Sequence, residues 1–194
     1  MPSISVTNPD KVTTLDIGTS TPPIGGSINL DKFTSLQNFT GTSNSLVGLT
    51  GTEALTSLLK LIAFRNVISG PLPSFAANTS IQEILLFINS YTGNIVLPSS
   101  GNTLQRLEVF RNQITGSIPS LPSSLTTLLV HENLLTGTIP TLSTTNLTKI
   151  NVSQNTLTGT IPTLPSTVQE LNVSLNQLTG QLPILPSVTW NFSF

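Results

Sequence analysis

The sequence predicts a β-rich solenoid, a right-handed coil with a parallel sheet on its concave face, extended polyproline-like segments on its convex side and few or no helices. Three observations carry this. A unit of about 21 to 24 residues recurs along the chain: Leu147 to Pro165 reads LTKINVSQNTLTGTIPTLP, and close copies begin at Leu104, Leu125 and Val168. Inside the unit, Ile150 and Val152 lie two apart with Asn151 and Ser153 between and after them, which is the alternation of a short strand. The return segment, as in Thr163-Leu164-Pro165-Ser166, is too short and too Pro-rich for a helix.

Taken in order, eight turns begin at Val12, Leu36, Leu58, Ile81, Leu104, Leu125, Leu147 and Val168. Residues 1–35 are the least regular: Ile4 and Val6 alternate, Val12, Leu15 and Ile17 match the strand, and a Pro-Pro-Ile-Gly-Gly segment precedes Ile28, Leu30 and Phe33. That reads as an atypical terminal turn, which a solenoid needs because its first coil lacks a neighbour on one side. Residues 36–186 form the repeats and 187–194 a terminal half-turn, giving one domain over 1–194. After the strand in the seven turns from Leu36 onward stands an Asn (Asn44, Asn66, Asn89, Asn112, Asn133, Asn155, Asn176). An amide both donates and accepts, so a stacked column of them can satisfy backbone groups where the chain bends inward. Gly137 and Gly159 permit the next bend, and Ile139-Pro140 or Ile161-Pro162 returns an apolar side chain to the core. One turn buries about six aliphatic side chains at about 1.5–3 kcal/mol each. Ordering its residues opposes this by roughly 1–2 kcal/mol apiece, so a lone turn cannot fold and stability comes from stacking.

Composition removes several function classes. Only 8% of residues are charged and the net charge is -1. Phosphate neutralisation therefore has no basic surface to use, which excludes nucleic acid, and an anionic membrane finds none either. The chain contains no Cys and one His, so disulfides, thiolate nucleophiles and a metal constellation are absent from the reading, and no cofactor is expected. No signal peptide is visible near the N-terminus, and the apolar runs Leu58 to Phe64 and Ile84 to Ile88 fall far short of a membrane span. Compartment stays open. Sequons such as Asn146-Leu147-Thr148 carry no weight in a chain so rich in Ser and Thr.

The unit LxxLxLxxNxLTGxIP resembles the plant-type leucine-rich repeat over nearly the whole chain, and Leu121 to Leu125 and Leu164 to Thr167 are similar to the short return segments of bacterial effector repeats. The Cys-containing caps common in secreted plant members are missing. The resemblance implies a recognition module that binds proteins, peptides or other ligands on the concave strand face, not an enzyme. His131-Glu132 forms a base–carboxylate pair only by adjacency, and a triad is recognised by geometry that spacing does not supply.

The outward strand positions identify the binding surface. Phe64, Phe87, Phe110 and His131 follow the last inward strand residue in four consecutive turns. Two residues earlier stand Ile62, Leu85, Glu108 and Leu129, and one residue later Arg65, Ile88, Arg111 and Glu132. In the last turns Asn151, Ser153, Asn172 and Ser174 take over, so the apolar surface is confined to mid-stack. A contiguous apolar patch rimmed by charge marks an interface. Its occupant is a protein or peptide partner, another copy of the chain, or the chain's own irregular N-terminus. The alternative function is a structural component that assembles with itself or within a cell-surface layer or virion. A minor alternative comes from the flank, where Thr115-Gly116-Ser117, Thr136-Gly137-Thr138, Thr158-Gly159-Thr160 and Thr179-Gly180-Gln181 resemble the threonine ladders of ice-binding solenoids; against it, the first hydroxyl can bond local backbone. Near the C-terminus, Phe192 and Phe194 keep the phase of Leu171 and Val173. With Trp190 they form an expected end contact for a partner or a second copy.

Overall fold

The computed structural model describes residues 7–98, 101–185 and 191–193. Nine three-residue strands, Thr14–Asp16, Asn38–Thr40, Lys60–Ile62, Glu83–Leu85, Arg106–Glu108, Thr127–Leu129, Lys149–Asn151, Glu170–Asn172 and Asn191–Ser193, join in chain order into one parallel sheet. Parallel neighbours need a long crossover between them, and here the crossover is one whole turn of the coil. The only helical segments among the described residues are two single 3-10 turns, Pro9–Lys11 and Thr52–Ala54. No helix is long and apolar enough to cross a membrane.

Strand register follows from the period-2 pattern. The central strand residues pair in one column, Leu15, Phe39, Leu61, Ile84, Leu107, Leu128, Ile150, Leu171 and Phe192. From Phe39 to Leu171 these side chains are almost fully buried. A second inward column runs Ala63, Leu86, Val109, Val130, Val152, Val173, and a third, past the asparagines, Ile68, Tyr91, Ile114, Leu135, Leu157. The turn beginning at Leu125 buries six aliphatic side chains as expected: Leu125, Leu128, Val130, Leu135, Ile139 and Leu142. A slip of one residue would turn these columns to solvent, so the register is strongly fixed. The irregular beginning joins the same core: Leu30 and Phe33 are buried, while Val12, Leu15 and Ile17 pack against the core half-covered. Ile4, Val6, Trp190 and Phe194 lie outside the described residues.

The asparagine column forms, and its amides bond backbone groups as expected. Asn155 Nδ2 donates to Val152 O in its own turn (3.1 Å) and to Val130 O in the turn before (3.1 Å), while its Oδ1 accepts the N–H of Leu135 (3.0 Å). Asn66, Asn89, Asn112, Asn133 and Asn176 repeat this three-point pattern. Each side chain thus ties its own turn to the preceding one, and a carbonyl such as Val130 O or Val152 O is shared between two successive asparagines.

Beyond the asparagines a flank of short parallel pairings continues the coil: Ser69–Pro71 with Ser90–Thr92, Thr158–Gly159 with Gln177–Leu178, and bridges Ser117 to Thr136 and Thr138 to Thr158. The hydroxyls of Thr115, Thr136, Thr158 and Thr179 each donate to a glycine carbonyl one turn back, Gly93, Gly116, Gly137 and Gly159, at 3.3 Å. The hydrogen of this threonine row is therefore spent inside the coil.

Candidate functional site

The outward face of the sheet is built from rows, because the register places equivalent residues side by side. The row two residues past the last strand position is Phe64, Phe87, Phe110 and His131. Their rings stack face to face, with centroids 4.4, 4.5 and 4.4 Å apart and interplanar angles of 8°, 7° and 10°. All four are half-buried. The sheet imposes the stacking: adjacent parallel strands hold equivalent side chains at nearly the ring-stacking distance, and a common rotamer brings the planes parallel. The ring faces are consequently occupied by one another, and the edges look outward.

The strand-end row, Ile62, Leu85, Glu108 and Leu129, lies beside this column. Ile62 and Leu129 are partly open, whereas Leu85 and Glu108, expected on the open surface, are only 6% and 7% exposed. They do point outward, since they alternate with Ile84 and Leu107, but flanking side chains cover them. The Glu108 carboxylate is met from its own strand: Arg106 Nε donates to Oε1 at 3.1 Å.

The following row carries the unexpected geometry. Ser43, Arg65, Ile88, Arg111, Glu132, Gln154 and Leu175 all have φ between 52° and 55°. Each immediately precedes a column Asn. The left-handed conformation ends the strand and swings the next residue inward, which aims the amide into the core. For an L-residue this costs roughly 1–2 kcal/mol, most for a β-branched one such as Ile88. Within this row Arg111 Nε bonds Glu132 in the next turn at 2.9 and 3.0 Å. Arg65 is exposed at the other end.

Sequence reasoning missed a fourth row at the first strand position. Lys60 bonds Glu83 at 2.8 Å, Glu83 lies 3.6 Å from Arg106, and Lys149 bonds Glu170 at 2.7 Å. The partners are a full turn apart in sequence. Aligning the repeats column by column would have revealed the alternation of sign.

His131 ends the aromatic column. Burial holds its pKa below the ordinary 6.5; Glu132 pulls it back up and Arg111 pushes it down again. The unfolded chain therefore takes up the proton first as pH falls. The contribution of His131 is complete above about pH 6.5 and declines below it, down to the depressed folded value. Melting temperature should accordingly drop between pH 7 and pH 5 by more in the parent than in His131→Gln. Parallel melting curves for the two would contradict a desolvated imidazole.

With this geometry established, comparison with known proteins places the chain. The family model described as Leucine Rich Repeat matches residues 103–125 and 146–168. The plant peptide hormone receptor RGFR1, solved in complex with RGF2, superposes with a TM-score of 0.67 at 28% identity over 90% of this chain. This is a leucine-rich repeat protein. The Arabidopsis receptor kinase HAESA, solved with the peptide hormone IDA and the co-receptor SERK1, gives a TM-score of 0.70 at 27% identity over 93% of the chain. This leucine-rich repeat chain covers 34% of each of those receptor chains, about a third of their length. A plant ice-binding protein superposes with a TM-score of 0.54 at 22% identity, over 84% of this chain and 65% of its own, a likeness of fold alone. No curated protein sequence matches.

Proposed function

We propose that this leucine-rich repeat chain is a non-enzymatic recognition module whose outward, concave sheet face binds a peptide or an extended protein segment. The observation that carries this reading is the aromatic column Phe64, Phe87, Phe110 and His131, which lies half-exposed on that face beside Ile62 and Leu129. Apolar side chains on the solvent side of a sheet have no packing role inside the coil, and centrally placed aromatic groups are the usual anchors of an interface. The chain's own beginning is an unsuitable cover, since the described part of it extends the sheet by one strand beside Asn38–Thr40. The structures solved with RGF2 and IDA are of similar coils with bound peptide hormones, which favours a peptide over a small molecule. On this reading residues 1–194 act as one unit, with 1–35 as its irregular first turn. The threonine flank serves the coil in this proposal, because its hydroxyl hydrogens are already committed to glycine carbonyls.

The test uses peptides selected from a random display library on the 194-residue chain. Phe87→Ser should weaken their binding by about 2 kcal/mol or more while the circular dichroism spectrum stays that of the parent. Selected peptides that bind the variant as tightly as the parent would move the site off this face. An unfolded variant would mean that Phe87 belongs to the core.

A further inference from the structure

Within the row Ile62, Leu85, Glu108, Leu129 one residue breaks the aliphatic run. Glu108 is in register with Leu85 on one side and Leu129 on the other, with Phe110 two residues beyond the end of its strand. Its side chain is 9% exposed, against 18% for Glu83 and 48% for Glu170 in the first-position row. A carboxylate brings about four acceptor sites. Burying it among aliphatic groups is unfavourable unless donors meet those sites. Among the described residues one side chain does so. Arg106 donates Nε and a terminal nitrogen to the same oxygen, Oε1. Its other terminal nitrogen lies 3.6 Å from Glu83, so its charge is shared between two carboxylates.

Oε2 receives no hydrogen bond from the described residues, yet it is not sealed. The side-chain polar atoms that are both buried and unpartnered are the Tyr91 hydroxyl and His131 Nδ1. Oε2 therefore keeps some solvent access, on the outward side of the sheet between Leu85 and Leu129. An ordinary structural ion pair does not need this position. Lys60–Glu83 and Lys149–Glu170 form at the more exposed first strand position, where solvent screening leaves an ion pair little net effect. Nor can the rings beside Glu108 attract a cation, since both faces of Phe87 and Phe110 are occupied by neighbouring rings and their outward edges carry the positive side of the quadrupole.

We propose that Glu108 determines specificity on this face: through Oε2 it accepts the ammonium or guanidinium of a basic side chain on an extended peptide. The apolar neighbours of that side chain lie against Leu85, Leu129 and the edges of Phe87 and Phe110. This rests on the recognition reading above and adds the chemistry of the ligand. A basic side chain brings several donors and a charge to a carboxylate whose second oxygen is free, in surroundings that exclude water once an apolar segment lies across them.

The experiment starts from peptides enriched on the 194-residue chain, each synthesised twice, with its basic residue kept or replaced by norleucine. The enriched sequences should share a Lys or Arg beside a large apolar residue. The norleucine form should bind the parent about tenfold or more weakly. The E108Q protein, which keeps an acceptor for Arg106, should bind both forms alike, whereas E83Q should still discriminate. Peptides whose binding is lost in Phe87→Ser but which do not distinguish the two forms, or whose discrimination survives E108Q, overturn the role of Glu108 and leave the concave site standing. A library that yields no peptide sensitive to Phe87→Ser overturns both.

Discussion

Replacing Asn155 by Ala is expected to destabilise the protein by about 1–3 kcal/mol, because the Leu135 N–H is left without a partner while the carbonyls of Val130 and Val152 each lose one of their two amide donors. The carbonyls of Val130 and Val152 and the N–H of Leu135 all bond this one amide. Asn155 is only 8% exposed, so water cannot replace it without opening the bend. Gln154, one residue earlier, is exposed and in the left-handed conformation; its side chain leaves the chain in another direction and cannot substitute. Chemical denaturation with a Gln154→Asn control measures the difference, since Asn tolerates that backbone conformation. A midpoint unchanged in Asn155→Ala would show that the bend is hydrated and the column is not a structural tie.

Gly51→Ala should be of comparable severity, at about 2–4 kcal/mol, through two separate terms. Gly51 has φ 76°, which disfavours any L-residue, and a Cβ built there would lie 2.5 Å from the backbone nitrogen of Asp31 and 2.3 Å from Asp31 Oδ1. The aspartate side chain can rotate away, but the backbone nitrogen cannot. Gly70 provides the contrast, with φ 98° and nothing within 4 Å of the added carbon. Gly70→Ala therefore carries the conformational term alone, about 1 kcal/mol. Equal losses for the two variants would remove the close approach of the first turns as a contributor.

These outcomes depend on features that were unevenly legible in the sequence. The inward columns could be read because each demands an aliphatic group at fixed spacing, and the asparagines because no other residue both donates and accepts at that bend. The left-handed residues could not. Ser43, Arg65, Ile88, Arg111, Glu132, Gln154 and Leu175 share a backbone conformation and no side-chain chemistry, and none is the glycine that usually signals positive φ. At the candidate site, the period-2 pattern placed Phe64, Phe87 and Phe110 on one face, but their stacking depends on a common rotamer. Composition did not reveal the covering of Leu85 and Glu108 either, since their neighbours come from strands 21 to 23 residues away: Leu85 pairs with Ile62 and Glu108, and Glu108 with Leu129.

The amide bonds give the coil a direction. Each asparagine reaches back to the turn before it and never forward, so the two faces of any turn are chemically unlike. One presents an amide side chain seeking a carbonyl and an N–H, and the other presents that carbonyl and N–H fixed in place. Two faces of the same kind cannot satisfy each other. A turn inserted into such a rod must therefore keep the same polarity as its neighbours, head to tail.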